Sequence, residues 1–206
     1  MKYMKNWIGI MLIFSLLSCG DNPQTKVSSK TAHFYFDNYR SRNFDLFNEI
    51  FSVDLPDCFD KDQYGNYSVN NKNNFECYEN YTYFSLDAFT RNDIEDLHHY
   101  YSSSELNSDY SKFLINHVVK KRAANIRNSI ISQLTIDSLK TDHSKIYVQS
   151  VTSNKNDEYS EDLFYMYGTI EMDNHFYLIQ LIDNKENVKF HLNDFKKIML
   201  SFRKTR

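Results

Sequence analysis

The stretch DLFYMYGTIEMDNHFYLIQLI, residues 162–182, decides the fold of this chain. It contains two runs rich in aromatic and β-branched residues, the composition that is typical of β-strands. Asp173 and Asn174 separate the runs and form a two-residue link of the kind found in tight hairpins. The stretch therefore predicts two antiparallel strands joined by a short turn.

Three earlier segments also have the alternation of strands. Phe51, Val53 and Leu55 alternate with polar residues until Pro56, which ends the strand. Lys145–Val151 alternates in the same way. The segment YTYFSLDAF, residues 81–89, divides into two faces, one with Tyr81, Tyr83, Ser85 and Asp87 and the other with Thr82, Phe84, Leu86 and Ala88. For the segments before Asp93, which also include YSVNNKNNFECYEN at 67–80, the simplest arrangement is an antiparallel meander.

Helical spacing is found in three places. Apolar residues between Ile94 and Tyr101 predict a short helix, and a longer one is predicted after a cap at Ser108 or Asp109. The segment from Ser102 to Thr135 is accordingly expected to be rich in helix. A third helix is predicted from a cap at Asn193, with an apolar face and a basic end; its apolar residues are Phe195, Ile198, Met199 and Phe202. Strands, helices, strands and a closing helix predict an α+β fold, in which helices cover an antiparallel sheet.

Three of these segments also carry a family resemblance. FSVDLPDCF (51–59), YTYFSLDAF (81–89) and GTIEMDNHFYLIQLIDNKENVKFHLNDFKKIMLSF (168–202) look like the Mog1/PsbP-like fold, which is found in many small bacterial lipoproteins. The resemblance covers residues 45 to 204. It implies an α/β/α sandwich and a non-enzymatic role in assembly or interaction. It supplies no set of catalytic residues to carry over.

The first residues have the three parts of an export signal. Lys2 and Lys5 give a positive start, an apolar run covers Trp7–Leu17, and small residues follow. Leu16-Leu17-Ser18-Cys19 resembles the lipobox of bacterial lipoproteins. The resemblance implies a cleaved signal peptide over residues 1–18, an acylated Cys19 as the mature N-terminus, and a flexible tether over 19–32.

The lipid would provide the membrane attachment, because two or three acyl chains anchor a protein stably. The apolar run is shorter than the roughly 20 residues of a membrane-spanning helix. Asp21 is the third residue of the mature chain rather than the second, which favours the outer membrane over the inner one. The alternative is an ordinary secretory signal with cleavage elsewhere.

The rest of the chain, residues 33–206, has the length of one α+β domain. Removal of residues 1–18 takes away two lysines and no acidic residue, so the formal net charge changes from −3 to −5. Such a chain lacks the basic surface that binds nucleic acid. Sixteen Tyr and sixteen Phe supply large side chains for a core.

Two cysteines remain after Cys19, at Cys58 and Cys77. In an exported protein, such a pair is first interpreted as a disulfide. The alternative is two buried thiols. The spacing excludes a catalytic CxxC motif.

Two segments have some features of metal sites. Residues 60–65, DKDQYG, begin like a calcium-binding loop, but Tyr64 and Asn71 stand where oxygen ligands belong. This segment is interpreted as a solvated turn. Glu95 and His99 share one helical face beside His98, yet two ligands do not complete a site. The other histidines are scattered and are interpreted as surface residues, namely His117, His143, His175 and His191.

One basic run could contact anionic headgroups near a lipid anchor, but it is interpreted as a solvated helix face; it contains Lys120, Lys121, Arg122 and Arg127. No sequence motif of a hydrolase, a phosphate-binding loop or a zinc protease occurs. No catalytic, cofactor-binding or metal-ligating residue is therefore predicted.

The sequence favours a non-catalytic, lipid-anchored envelope protein that binds a protein or peptide. One variant of this hypothesis is an immunity lipoprotein, whose acidic charge would suit a basic toxin. A hypothesis from another class is a small-ligand carrier or an envelope enzyme. It requires a concave pocket with convergent polar groups, and it would fail if aromatic side chains filled the space between helices and sheet.

Overall fold

The computed structural model describes residue 36 and residues 38–61, 73–78, 81–101, 109–153 and 163–205. All of them belong to one compact unit, which comprises His33–Arg206. The predicted signal peptide, Cys19 and the tether lie outside the described residues.

The described chain contains three helices and eleven strands. The helices are α1 (Arg91–Tyr101), α2 (Tyr110–Ala124) and α3 (Val188–Leu200). The strands are β1 (Tyr39–Leu46), β2 (Glu49–Pro56), β3 (Asp60–Lys61), β4 (Asn74–Cys77), β5 (Thr82–Phe89), β6 (Ser129–Ile131), β7 (Thr135–Ser138), β8 (Lys145–Ser153), β9 (Leu163–Met172), β10 (His175–Asn184) and β11 (Arg203–Lys204).

The predicted hairpin is the centre of the larger sheet. Its strands β9 and β10 pair antiparallel from His175 opposite Met172 to Asn184 opposite Leu163. Asp173 and Asn174 have φ values of 53° and 61°, as a two-residue turn with two left-handed residues requires. The strand order is β3-β4-β5-β10-β9-β8-β6, and β7 also pairs with β8. The central hairpin and the α+β class are confirmed.

Each face of this sheet carries a separate apolar cluster. On one face, α3 and strands of the smaller sheet β1-β2-β11 pack against residues such as Phe84, Ile179 and Leu181. On the opposite face, α1 and α2 pack against residues such as Phe176 and Leu178. The alternation of β10 explains this division, because neighbouring residues of a strand point to opposite faces. The result is the predicted arrangement of helices on both faces of an antiparallel sheet.

Gly168 in β9 allows α3 to approach the sheet closely. A Cβ atom at this position would lie 3.0 Å from Sδ of Met199 in α3 and 3.1 Å from Cδ1 of Ile146 in β8. Such contacts are too short for a relaxed side chain in a close-packed interior. The glycine is therefore explained by the helix that crosses it.

The start of the closing helix was predicted wrongly. The helix begins at Val188, and its N-cap residue is Asn187 rather than Asn193. His191 and Asp194 are buried within it, so its inward face includes polar side chains that an apolar pattern does not recognise. The basic residues Arg203 and Lys204 form β11, which pairs with β2, instead of the last turn of the helix.

The segment Ser102–Thr135 is helical only in part. Helix α2 ends at Ala124, and the short strands β6 and β7 follow as a broken edge that pairs with β8. At the break, the Ser132 amide donates to the carbonyl oxygen of Ser150 at 2.9 Å, and the Ser150 amide donates to Oγ of Ser132 at 2.9 Å. These bonds keep the chain beside β8 between the two strands.

The predicted disulfide between Cys58 and Cys77 is formed, with 5.0 Å between the two Cα atoms. It joins the turn after β2 to the end of β4, and therefore ties the smaller sheet to the edge of the larger one. A closed loop of about 20 residues contributes roughly 3 kcal/mol to stability through the restricted unfolded chain.

Candidate functional site

A cavity of about 520 Å³ lies between α2 and the larger sheet. We call it the α2 cavity. Its volume is within the range of small-molecule pockets, about 300 to 1,000 Å³. The aromatic side chains therefore leave open a space of the kind that a small-ligand carrier requires.

The sheet forms one wall of the α2 cavity. Ser85 and Asp87 in β5 project from one face of the strand, as their alternation predicts, and Ser85 lies opposite Gln180 of β10. Gln180 in turn lies opposite Tyr167 of β9. Ser85, Gln180 and Tyr167 thus form a polar row across three neighbouring strands. Ala88 and Phe89 complete this wall.

The helices form the other wall. The contributing residues of α2 and its C-cap recur every three or four positions, so they lie on one face of the helix. They are Leu114, His117, Val118, Lys121, Arg122 and Asn125. Leu97 of α1 adds a further apolar contact. This wall has an apolar half near Leu114 and Val118, and a basic half near Lys121.

Three polar side chains of the sheet wall have no protein partner among the described residues. Ser85, Asp87 and Gln180 each lack a side-chain hydrogen bond or ion pair within that part of the chain. Burial raises the pKa of the Asp87 carboxyl, because its charged form loses solvation. Buried and half-buried polar groups without protein partners are typical of a surface that water or a ligand satisfies.

Arg122 is held at the edge of the cavity by two aromatic side chains. Its guanidinium carbon lies 4.4 Å from the ring centroid of Tyr165, and its Nε donates to the Tyr167 hydroxyl at 3.3 Å. Burial raises the pKa of Tyr167, whereas the Arg122 charge lowers it. The prediction that this arginine belongs to a solvated basic face is wrong, because its side chain turns toward the sheet.

His117 and Lys121 lie one helical turn apart in the same wall. Burial, and to a lesser degree the charge of Lys121, lower the pKa of His117. Lys120 and Lys121 are exposed, as predicted, while Arg127 lies beyond the end of α2. Among the described residues, Lys121 forms no ion pair with a carboxylate.

A serine, a histidine and an aspartate line the cavity together, but they do not form a hydrolytic triad. A triad requires a hydrogen-bonded series from nucleophile to base to acid. Within the described part of the chain, neither Ser85 nor Asp87 is hydrogen-bonded to His117.

The candidate metal ligands from the sequence do not form a site in the described structure. Glu95 accepts a hydrogen bond from Tyr110, and His98 packs edge-on against Phe113. Over the described ranges, no three His, Cys, Asp or Glu side chains are close enough to hold a metal ion. Most of the calcium-like loop lies outside the described residues.

The prediction that His191 is a surface residue is wrong. Its Nδ1 atom lies 2.7 Å from Oδ2 of Asp183, and both side chains are buried. His175 stacks on Phe47 in the turn between β1 and β2, and His143 occupies a turn with a φ of 60°. No described helix is both long and apolar enough to cross a bilayer.

Two solved structures share this architecture. Cyanobacterial PsbP (CyanoP) from Synechocystis superposes with a TM-score of 0.53 at 9% identity, over 82% of this chain and 95% of that one. The Ran-binding protein Mog1p of Saccharomyces cerevisiae gives a TM-score of 0.50 at 8% identity, over 81% and 96% of the two chains. This domain has a Mog1/PsbP-like fold.

The Mog1/PsbP-like likeness confirms the resemblance noted in the sequence and concerns the fold alone. No protein-family model and no curated protein sequence matches the chain. The activity of this domain therefore has to be argued from its own residues.

Proposed function

We propose that this chain is a non-catalytic, lipid-anchored binding protein of the bacterial cell envelope, which receives its ligand in the α2 cavity. The observation that carries this proposal is the cavity itself, an open space lined by apolar and polar side chains, three of which lack protein partners in the described structure. Largely apolar pockets with a few convergent polar groups are typical of ligand sites.

Anchoring is proposed from the N-terminal sequence. The lipobox-like Leu16-Leu17-Ser18-Cys19 supports acylation of Cys19, and Asp21 at the third mature position supports delivery to the outer membrane. The polar segment up to residue 32 would separate the domain from the lipid by a flexible tether. In this arrangement the domain faces an aqueous compartment and its cavity stays accessible.

A Cys19→Ala change is expected to abolish lipid attachment. Wild-type protein should incorporate labelled palmitate and sediment with outer membranes, because two or three acyl chains bind a bilayer stably. The variant should incorporate none and should leave the outer-membrane fraction. Cys58→Ser serves as the matched control, since it removes a different cysteine and should keep the label. A mature chain that begins at another residue and carries no fatty acid would contradict the proposal.

Blocking the α2 cavity is expected to remove its ligand. Val118→Trp adds a large ring to the helix wall, whereas Lys120→Trp places the same ring on the exposed side of α2. Native mass spectrometry of protein purified from envelopes should show a bound mass in wild type and in the Lys120 variant. The Val118 variant should lack it while keeping a cooperative thermal transition.

Either of two results would contradict the proposal that the ligand binds in the α2 cavity. One is the absence of any bound mass in wild type, even after equilibration with an envelope extract. The other is an identical bound mass in the Val118 variant, which would place the ligand elsewhere on the protein.

A further inference from the structure

We propose that the ligand of the α2 cavity is a zwitterion with an apolar body, namely a free α-amino acid or a short peptide, whose ammonium pairs with Asp87 and whose carboxylate pairs with Lys121. This inference rests on the proposed function, since it assigns a chemical class to the ligand of that cavity. It concerns the charges on the two facing walls.

Asp87 provides the acidic end of the site. It is a carboxylate on the sheet wall and has no hydrogen bond or ion pair within the described structure. Burial raises its pKa, because the charged form loses solvation there. An ammonium group would provide the opposite charge and the hydrogen bonds that the site lacks. Ser85 and Gln180, close by on the same wall, offer further polar contacts.

Lys121 provides the basic end. It belongs to the helix wall and forms no ion pair with any described carboxylate. The neighbouring cation Arg122 is engaged with Tyr165 and Tyr167, so its position is fixed at the cavity edge. Burial lowers the pKa of His117 and thereby favours its neutral form. Lys121 is therefore the cation that is available to a ligand carboxylate.

A ligand with a single charge fits these walls less well. The basic groups that line the cavity are His117, Lys121 and Arg122, and the acidic group among the described lining residues is Asp87. A simple anion would gain Lys121 but would meet the Asp87 carboxylate. A simple cation would gain Asp87 but would face Lys121 and Arg122. A zwitterion pairs with both ends at once.

The apolar part of the cavity lining selects an apolar body. Leu97, Leu114 and Val118 form the apolar part of the helix wall, and Phe89 lies on the sheet side. A cavity of about 520 Å³ holds an amino acid with a large side chain, and it also holds a dipeptide. Polar side chains would lose hydration against this wall without gaining partners.

Ligand-observed saturation-transfer NMR with the purified full chain tests the inference. The probes are L-phenylalanine, phenethylamine, which lacks the carboxylate, and hydrocinnamate, which lacks the ammonium. L-leucyl-L-leucine distinguishes a peptide source from a free amino acid. L-phenylalanine or the dipeptide should bind saturably. The two singly charged probes should bind about 10-fold more weakly than L-phenylalanine, because each loses one charge-assisted contact.

Variants identify the two ends of the site. Asp87→Asn and Lys121→Gln should each lower the affinity for the zwitterion that binds the wild type, by about 10-fold or more. Lys120→Gln and Asp137→Asn are matched controls on exposed positions and should leave binding unchanged. Circular dichroism melting of each variant checks that it is folded.

Three results would overturn the inference: no binding of either zwitterion, equal binding of a singly charged probe, or unchanged binding in the folded Asp87 variant. These results are distinguishable from failure of the proposed function. If an envelope ligand is lost in the Val118→Trp variant but no zwitterion binds, the cavity is a ligand site for another chemical class. If no envelope ligand is found but the zwitterion binds, the inferred chemistry stands without a demonstrated physiological ligand.

Discussion

Phe51→Ala is expected to lower the free energy of unfolding by about 3 to 5 kcal/mol, as removal of a fully buried aromatic ring typically does. Phe51 lies in β2 and is completely buried. Its ring centroid is 4.7 Å from that of Tyr177 in β10 and 5.4 Å from that of Phe202 after α3. One side chain of the smaller sheet thus contacts both the larger sheet and the C-terminal segment.

The loss of unfolding free energy should exceed the free energy of transferring the ring from water into the protein interior. Tyr177 and Phe202 also contact each other, at a centroid distance of 5.1 Å, so neither ring can collapse freely into the space that Phe51 leaves. The size of the effect therefore depends on a cavity that the neighbours cannot fill.

Urea denaturation followed by far-UV circular dichroism measures this effect. Ile50→Ala is the matched control, because Ile50 precedes Phe51 in the same strand and is 53% exposed. Its change should cost less than about 1 kcal/mol. Equal losses in the two variants would show that β2 does not pack between the two sheets as described.

The central hairpin was predictable because its information is local. Asp173 and Asn174 accept the left-handed backbone of the turn, and the flanking residues prefer strands. The register of β9 and β10 then follows from the turn alone. The strand that contains Phe51 and the segment 81–89 were likewise predicted from alternation and confirmed, because each buries one face more than the other.

The start of α3 was not predictable from an apolar pattern. Val188, His191, Phe195 and Ile198 follow one helical face, but a polar residue occupies its second position. His191 is buried with its Nδ1 atom 2.7 Å from Oδ2 of Asp183, a partner that belongs to a different element. A pattern that treats histidine as a surface residue therefore begins the helix one and a half turns too late.

The short strands β6, β7 and β11 depend on distant partners. Each has two to four residues and pairs with a longer strand, β8 or β2. Segments of this length do not show a convincing period of two. Their strand conformation is imposed by the neighbouring sheet rather than by local preference.

Only the sheet wall of the α2 cavity could be predicted from the sequence. The alternation of β5 does place Ser85 and Asp87 on one face, which is unusual for a strand in the middle of a sheet. Lys121 and Arg122, however, belong to a run of charges that has the pattern of a solvated helix face. That this face closes over Asp87 is a property of tertiary packing, since no local signal relates α2 to β5.

Asp183→Ala is expected to destabilise the fold about as strongly as the loss of a core aromatic ring. The Asp183 carboxylate, at the end of β10, is completely buried. It accepts hydrogen bonds from Oγ1 of Thr82 at 3.3 Å and from the amide of Asn184 at 2.7 Å, and it lies 2.7 Å from Nδ1 of His191. Alanine would leave these buried groups without their acceptor, at a cost of about 3 to 5 kcal/mol.

The position of His191 makes compensation difficult. Its ring stacks on Phe36 at a centroid distance of 4.2 Å and is itself buried, so it cannot turn toward solvent to recover a hydrogen bond. Asp183→Asn separates the contribution of charge from that of geometry. The amide has the shape of the carboxylate and can still accept a hydrogen bond from the Asn184 amide. The asparagine variant should therefore lose clearly less free energy of unfolding than the alanine variant.

Thermal and urea unfolding of the two Asp183 variants should be compared with Asp45→Ala, which removes an exposed carboxylate from β1. The control should change stability by no more than about 0.5 kcal/mol. If Asp183→Ala behaves like the control, the hydrogen bonds around Asp183 do not contribute to folding. If Asp183→Asn is as damaging as Asp183→Ala, the negative charge rather than the acceptor geometry stabilises the junction between β5, β10 and α3.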